Sequence, residues 1–188
     1  MASRPLRADA ARNRDKLLAA AADVFAEKGL DAALEHIARR AEVSIGTLYA
    51  HFPSRQILID AIFPSRLAVL DDIGEAALAA ADPWQGFVDF VEGTVGLQAQ
   101  DLGLNDAIAR RLVPASEAVR VCQRGMGHAE RIIQRAKESG RLRADFEPAD
   151  LATLTWAMSQ VIRESIDTEP DRWRRFLSFY LDGLRSGS

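Results

Sequence analysis

The stretch from Leu34 to Phe52 constrains this chain most, because it predicts two short helices joined by a tight turn. The first helix repeats apolar residues at the spacing of one helical face, with Leu34, Ile37, Ala38 and Ala41. Ser44 is a good N-cap for the second helix. Three apolar side chains can fill the angle between the helices, namely Val43, Leu48 and Phe52. The pattern is that of a helix-turn-helix.

The second of these helices is small and polar enough to enter a DNA groove. Its hydroxyl and imidazole groups suit contacts with phosphates and base edges, and its small or polar residues are Gly46, Thr47, Tyr49 and His51. Upstream, a helix from about Asp9 to Lys28 is expected to end at Gly29, whose backbone can adopt a left-handed conformation. Downstream, a fourth helix is expected from Gln56 to about Ala80, with a kink or break at Pro64.

The segment Phe25 to Phe63, FAEKGLDAALEHIARRAEVSIGTLYAHFPSRQILIDAIF, resembles the TetR-type transcriptional regulators, and GTLYxHFP is among that family's more specific short signatures. The remainder resembles the family's variable ligand-binding half in being helical, of suitable length and closed by two apolar helices. The resemblance implies a homodimer, most often a repressor, that binds a palindromic operator in double-stranded DNA and releases it when a small molecule fills its core. It also implies groove contacts from Ile45, Gly46, Thr47 and Tyr49, and phosphate contacts from Ser44, His51 and Arg55.

Three positions depart from the family pattern. Glu42 stands where the turn usually has glycine, and a positive φ there would cost about 1 to 2 kcal/mol. Ala50 replaces a larger, often basic or aromatic residue and removes a possible phosphate contact. Where a Ser, Thr or Pro often starts the first helix of the motif there are two alanines, so Asp31 or bare backbone N–H groups must cap that helix.

The whole chain is expected to be all-α, with a helix-turn-helix head in residues 1–55 and a helical ligand-binding and dimerisation domain in residues 56–188. Residues 1–55 hold nine Lys or Arg and seven Asp or Glu, a net of +2, whereas residues 56–188 have a net of −5. The head is therefore the basic half. A loose N-terminal arm with Arg4, Arg7, Arg12 and Arg14 either follows the DNA or is a solvated tail.

The C-terminal helices supply the candidate pocket and dimer seam. The pocket candidates are Phe87, Phe90, Met126, His128, Trp156 and Gln160. Trp156, Gln160 and Arg163 share one helical line that faces either the pocket or the seam. The last helix has more apolar surface than one core-facing stripe needs, which predicts a two-fold seam at Trp173, Phe176, Tyr180 and Leu184; the alternative is a monomer with a well-filled core.

No residue pattern indicates an enzyme, a cofactor or a metal site. The carboxylates Asp71, Asp72 and Glu75 are expected to form a solvated face, and Cys122 lies on an apolar helical stripe that favours packing over redox sensing. The chain has neither a membrane-spanning run nor the apolar middle of a signal peptide, so a cytoplasmic location is expected. Besides a ligand-responsive regulator, the sequence allows a dimeric ligand- or protein-binding module whose head, weakened at Glu42 and Ala50, has lost useful DNA affinity.

Overall fold

The computed structural model describes residues 4–110 and 116–186, with side chains described for residues 9–110 and 126–186. Within these ranges the regular elements are nine helices: α1 Arg4–Lys28, α2 Leu34–Arg40, α3 Ile45–His51, α4 Arg55–Ala79, α5 Pro83–Gln100, α6 Leu102–Ala109, α7 Ser116–Glu138, α8 Pro148–Ser165 and α9 Arg172–Leu184. The all-α class is confirmed. The packing expected for the Cys122 side chain lies outside the described residues.

Most helix ends follow from local chemistry. The side chains of Ser44, Ser54, Asp82 and Asp101 each accept a backbone N–H at the start of a helix. Gly29, directly after α1, has a φ of +76°. Ala33 precedes α2, and its side chain does not cap the first N–H groups of that helix. Residues 4–14 belong to α1, which corrects the expected loose arm.

Two apolar clusters organise the chain. The head cluster joins α1, α2 and α3 and also includes Leu58, Ile59 and Ile62 of α4 and Ala107 of α6. The larger cluster lies among α5, α7, α8 and α9. The division at residue 55 stays a prediction, but the head's core continues into the first turns of α4.

Pro64 lies inside α4, which is one continuous helix of 25 residues, so the expectation of a break was wrong, and the alternative, a kink at Pro64, stays a prediction. Proline still cannot donate to the Asp60 carbonyl. Burial of α4 on both sides of the proline opposes a break, because Ile62 packs into the head and Ala77 into the C-terminal cluster. In the described part of the chain, no helix combines the length and apolarity that a membrane span requires.

Candidate functional site

The turn between α2 and α3 keeps a Schellman geometry although it lacks glycine. The N–H of Val43 donates to the Ala38 carbonyl at 3.0 Å, and the N–H of Glu42 donates to the Arg39 carbonyl at 3.1 Å. Glu42 has a φ of +57°, the left-handed region that a side chain disfavours. The strain expected from the sequence is therefore present, and the turn is not reshaped to avoid it.

Replacing Glu42 with glycine is expected to raise the free energy of unfolding by about 1 kcal/mol, because glycine adopts positive φ without steric cost. The ion pair lost is weak, since Lys16 Nζ lies 3.8 Å from an exposed Glu42 carboxylate. For a chain of 188 residues the midpoint of thermal unfolding should rise by roughly 2 to 4 °C. Glu42→Ala is the matched control, since it removes the charge and keeps the β-carbon. An equal gain in both variants would contradict the role of backbone strain.

One face of α3 packs against the head core, and the opposite face is exposed. Its inward side chain, Leu48, is fully buried, and Phe52 at its end is 1% exposed. Ser44 begins the helix, and its Oγ accepts the N–H of Thr47 at 3.1 Å. Arg14 of α1 lies over the Phe52 ring, with its Cζ 5.4 Å from the centroid. The short helix therefore gains its rigidity from the head core and its cap.

The outward face of α3 carries the residues expected at DNA. Ile45 and Tyr49 are 36% and 48% exposed, large values for apolar or aromatic side chains. Gly46 faces open space, because a β-carbon there would meet only the Ser44 Oγ, at 3.8 Å. Thr47 and His51 are half-buried on the flanks of this face. The arrangement offers a narrow exposed ridge with hydroxyl, imidazole and apolar groups.

Arg55 uses one guanidinium nitrogen for contacts within the protein, and the phosphate contact expected for it stays a prediction. Its Nη1 donates to the carbonyl oxygens of Leu30 and Ala32, at 2.6 Å each. These carbonyls lie in the connection between α1 and α2. Arg55 therefore fastens that connection to the start of α4. Local spacing could not reveal this role, because the acceptors lie 25 and 23 residues away.

Arg55→Ala is expected to lower the free energy of unfolding by about 1 to 3 kcal/mol, since hydrogen bonds from a charged donor are lost at a partly buried site. Thermal unfolding of the chain without DNA measures this effect. Arg39→Ala, at an exposed position on α2, should change the stability little. If Arg55→Ala unfolded like the parent protein and only weakened DNA binding, the role of Arg55 would be a phosphate contact and not the stabilisation of this connection.

A cavity of about 610 Å³ lies in the C-terminal part of the molecule. Its walls are mostly apolar and come from α4, α5, α6, α7 and the first turns of α8. The described residues that line it are Leu67, Leu70, Phe90, Thr94, Ile108, Met126, Ala129, Glu130, Pro148, Ala149, Leu151, Ala152 and Thr155. Its size and lining are those of a small-molecule site.

Two of the expected pocket residues line this cavity, Phe90 and Met126. Phe87 does not, because it is fully buried in an aromatic cluster, 5.7 Å from the Trp84 ring and 5.5 Å from the Phe146 ring between centroids. Phe87 and Phe90 share one face of α5, and Phe90, nearly one turn further along, is the one that borders the cavity.

His128, another pocket candidate, instead joins α7 to α4. Its Nδ1 lies 3.2 Å from Asp71 Oδ1. Gly74 makes room for the ring, since a β-carbon there would come within 2.7 Å of the same Nδ1. Asp71 is thus an interhelical partner, which corrects its expected place on a solvated acidic face, whereas Asp72 and Glu75 are exposed.

The line of Trp156, Gln160 and Arg163 on α8 faces α6, a third possibility besides the pocket and the seam. Trp156 Nε1 donates to the Ala109 carbonyl at 3.3 Å, and an Arg163 Nη2 pairs with Asp106. Gln160 Nε2 bonds the adjacent Ser159 Oγ at 3.1 Å. Neither Trp156 nor Gln160 is among the described residues that line the cavity, which corrects their pocket assignment, and polar contacts hold Trp156 and Arg163 to α6.

α6 also contacts the head, through Asp106. This buried carboxylate accepts the Leu30 N–H at 2.9 Å, while Arg163 holds its other oxygen. Gly29 allows the approach, because a β-carbon there would lie 2.5 Å from Asp106 Oδ2. Nearby, Arg110 donates to Asp31 and holds the pKa of that carboxyl below its usual range. α6 thus lies between the head and α8, with polar contacts to both.

The expected dimer residues divide between core and surface. Trp173 and Leu184 are 3% and 6% exposed within a single chain, so they cannot offer surface to a partner, which corrects that part of the prediction. Phe176 and Phe179 are 48% and 60% exposed on the same helix, and Tyr180 is half-buried. α9 therefore has more apolar surface than its core-facing stripe needs, as expected. One part of that surface packs into the core of its own chain, and the other part is exposed.

Comparison with known proteins gives a family match for each half of the chain. Residues 17–62 match the model of bacterial regulatory proteins of the tetR family, and residues 82–186 match the SbtR-like C-terminal domain of transcriptional regulators. The HTH-type transcriptional regulator UidR of Escherichia coli K12 is 28% identical over 176 residues, covering 87% of this chain and 86% of UidR.

Two solved structures are similar over almost the full length. A TetR transcriptional regulator from Streptomyces coelicolor has a TM-score of 0.62 at 31% identity, covering 93% of this chain and 99% of that one. A TetR regulatory protein from Mycobacterium vanbaalenii has a TM-score of 0.54 at 34% identity, with coverages of 96% and 99%. Regulators of this kind bind operator DNA, act as dimers and bind small-molecule ligands. This protein belongs to the TetR family of DNA-binding transcriptional regulators.

Proposed function

We propose that this chain is a cytoplasmic repressor that binds a palindromic operator as a homodimer and releases it when a small molecule fills the cavity. The observation that carries the proposal is the outward ridge of α3, with Ile45, Gly46 and Tyr49 exposed above a buried scaffold. A rigid helix with a small, exposed start can lie close to base edges in the major groove.

Within that helix we assign reading and positioning to different residues. Ile45, Gly46 and Thr47 stand at its first turn, where side chains reach base edges. Tyr49 and His51 are suited to phosphates through their hydroxyl and imidazole groups. Ser44 supports them mainly from within, because its Oγ caps the helix. The positive net charge of residues 1–55 favours approach to DNA, and the negative remainder favours an orientation with the head foremost.

The dimer face proposed for this protein is the exposed side of α9 with Phe176 and Phe179, and Tyr180 at its edge. Large exposed aromatic side chains in a cluster are typical of interfaces. A two-fold pair of chains would present two copies of α3, which matches a palindromic site.

The route from cavity to head is short in this fold. Leu67 and Leu70 of α4 and Ile108 of α6 line the cavity, and both helices also contribute to the head cluster. A ligand that favours a different position of either helix changes the spacing of the two α3 helices. A hundredfold loss of operator affinity requires only about 2.7 kcal/mol of coupling. Pro64 lies in α4 between Ile62 of the head cluster and Leu67 at the cavity, and we propose that it takes part in this coupling.

The decisive experiment is footprinting on the DNA upstream of the chain's own gene. We expect a palindromic footprint and a logarithm of affinity that falls steeply with the logarithm of salt, because several phosphates are neutralised per dimer. Tyr49→Ala should weaken binding about tenfold or more, since a hydrogen bond to a charged phosphate contributes roughly 1.5 to 3 kcal/mol. Gly46→Ala fits the free protein and should disturb only the complex.

Circular dichroism of both variants is the control for folding. A salt-independent affinity, or operator binding unaltered by Tyr49→Ala and Gly46→Ala together, would indicate the alternative function, a helical binding module whose head no longer serves DNA.

A further inference from the structure

The hydroxyl of Thr94 is unusual among the helical hydroxyls of this molecule. It borders the cavity, it is buried, and it has no hydrogen-bond partner among the described residues. Thr155, also on the cavity wall, donates to the Leu151 carbonyl at 3.1 Å, and Ser165 donates to the Val161 carbonyl at 2.7 Å. Such bonds to the preceding turn are the usual solution for a hydroxyl inside a helix. Thr94 does not adopt it, so its hydroxyl is available to another group.

Gln98 lies one turn further along α5 and repeats the observation. Its side chain is fully buried, and neither its amide nitrogen nor its amide oxygen has a partner in the described structure. Buried polar atoms without partners are rare because they have lost water and gained nothing. Together the two side chains offer both donors and acceptors. Thr94 is among the described residues that line the cavity and Gln98 is not, so a bound molecule would reach this pair from the Thr94 side.

The charges around the cavity restrict what that group can be. Glu130 is the single charged side chain among the described residues of the lining, and it is negative. An anionic head group would meet this carboxylate and, in the described lining, no cation. Thr94 and Gln98 are neutral. A charged group bound to them would lose its hydration and gain no oppositely charged partner from these two side chains, which is unfavourable.

We propose that the effector is an uncharged, largely apolar molecule that seats one hydroxyl or carbonyl group on Thr94 and Gln98. This inference rests on the proposed function of the cavity as the effector site. The volume of about 610 Å³ lies within the range of cavities that hold drug-sized ligands. The apolar walls take the body of the molecule, and α5 takes its polar end.

The test uses ligands that share one apolar chain and differ in their head groups. 1,6-Diphenyl-1,3,5-hexatriene, a hydrocarbon that fluoresces in apolar sites, serves as the reporter and is displaced by 1-decanol, decanoate or decyltrimethylammonium at neutral pH. We expect 1-decanol to compete at least tenfold more strongly than either charged ligand. Equal or better competition by one of the charged ligands overturns the proposal, as does a failure of the reporter to bind.

Two isosteric variants locate the polar seat. Thr94→Val should weaken 1-decanol about fivefold to tenfold and leave the affinity for the hydrocarbon reporter within twofold. Gln98→Met should also weaken 1-decanol, while raising the thermal stability of the free protein because a buried unpaired amide is removed. Unchanged 1-decanol affinity in both variants overturns the assignment. None of these measurements contains DNA, so their outcome is independent of whether the head binds an operator.

Discussion

The double variant Phe176→Glu/Phe179→Glu is expected to be a folded monomer whose operator affinity is lower by roughly a hundredfold or more. Both side chains are about half exposed or more on one chain, so charges there do not disturb its core. In a dimer they would bury four carboxylates without partners, which opposes association. Two heads that are no longer joined in a dimer bind their half-sites independently. The operator affinity then loses the factor of roughly 10² to 10⁴ that joining the heads contributes.

Sedimentation at micromolar concentration and operator titration measure the two effects. Ser178→Glu is the control for an added carboxylate, because it places one at an exposed position on another side of α9. It should stay dimeric. A double variant that sediments as a dimer would move the interface away from α9.

Asp106→Ala is expected to lower the free energy of unfolding by about 2 to 4 kcal/mol. This is the largest loss of stability that we expect from replacing a single buried charged residue. Its removal leaves the buried Leu30 N–H without an acceptor and Arg163 without its carboxylate. The estimate lies below that for a fully buried pair, because the Arg163 side chain is 40% exposed and water can replace part of the loss.

Asp31→Asn is the control for Asp106→Ala. Asp31 pairs with Arg110, but its side chain is 76% exposed, and the change should cost less than about 1 kcal/mol. Denaturant unfolding of both variants gives the comparison. Equal, small losses would show that Asp106 is not needed to hold α6 against the head.

The parts of this molecule that the sequence predicted are those governed by near neighbours along the chain. Ser44 caps α3 as expected, and α1 ends at Lys28 before a left-handed Gly29, also as expected. The positive φ of Glu42 was also foreseeable, because the family's turn usually has glycine at this position, and glycine adopts the left-handed region without steric cost. Each of these depends on a few consecutive residues.

The errors have a common physical origin in contacts between distant segments. Asp106 and Leu30 are 76 residues apart, and neither helical periodicity nor a short motif links them. Trp173 was assigned to the dimer seam because apolar spacing alone does not say whether a face meets its own chain or a partner. Pro64 misled for a related reason, since packing at both ends of α4 overrides a local preference to break.

The bond from Trp156 to the end of α6 gives this protein an intrinsic optical probe. The chain has three tryptophans, and Trp84 and Trp173 are 3% exposed whereas Trp156 is 37% exposed. A collisional quencher such as acrylamide therefore reaches one indole preferentially, and that indole donates to the Ala109 carbonyl. Movement of α6 would break or reorient this contact and alter the quenchable emission. The position of α6 can thus be followed in the unlabelled protein, with and without ligand or DNA.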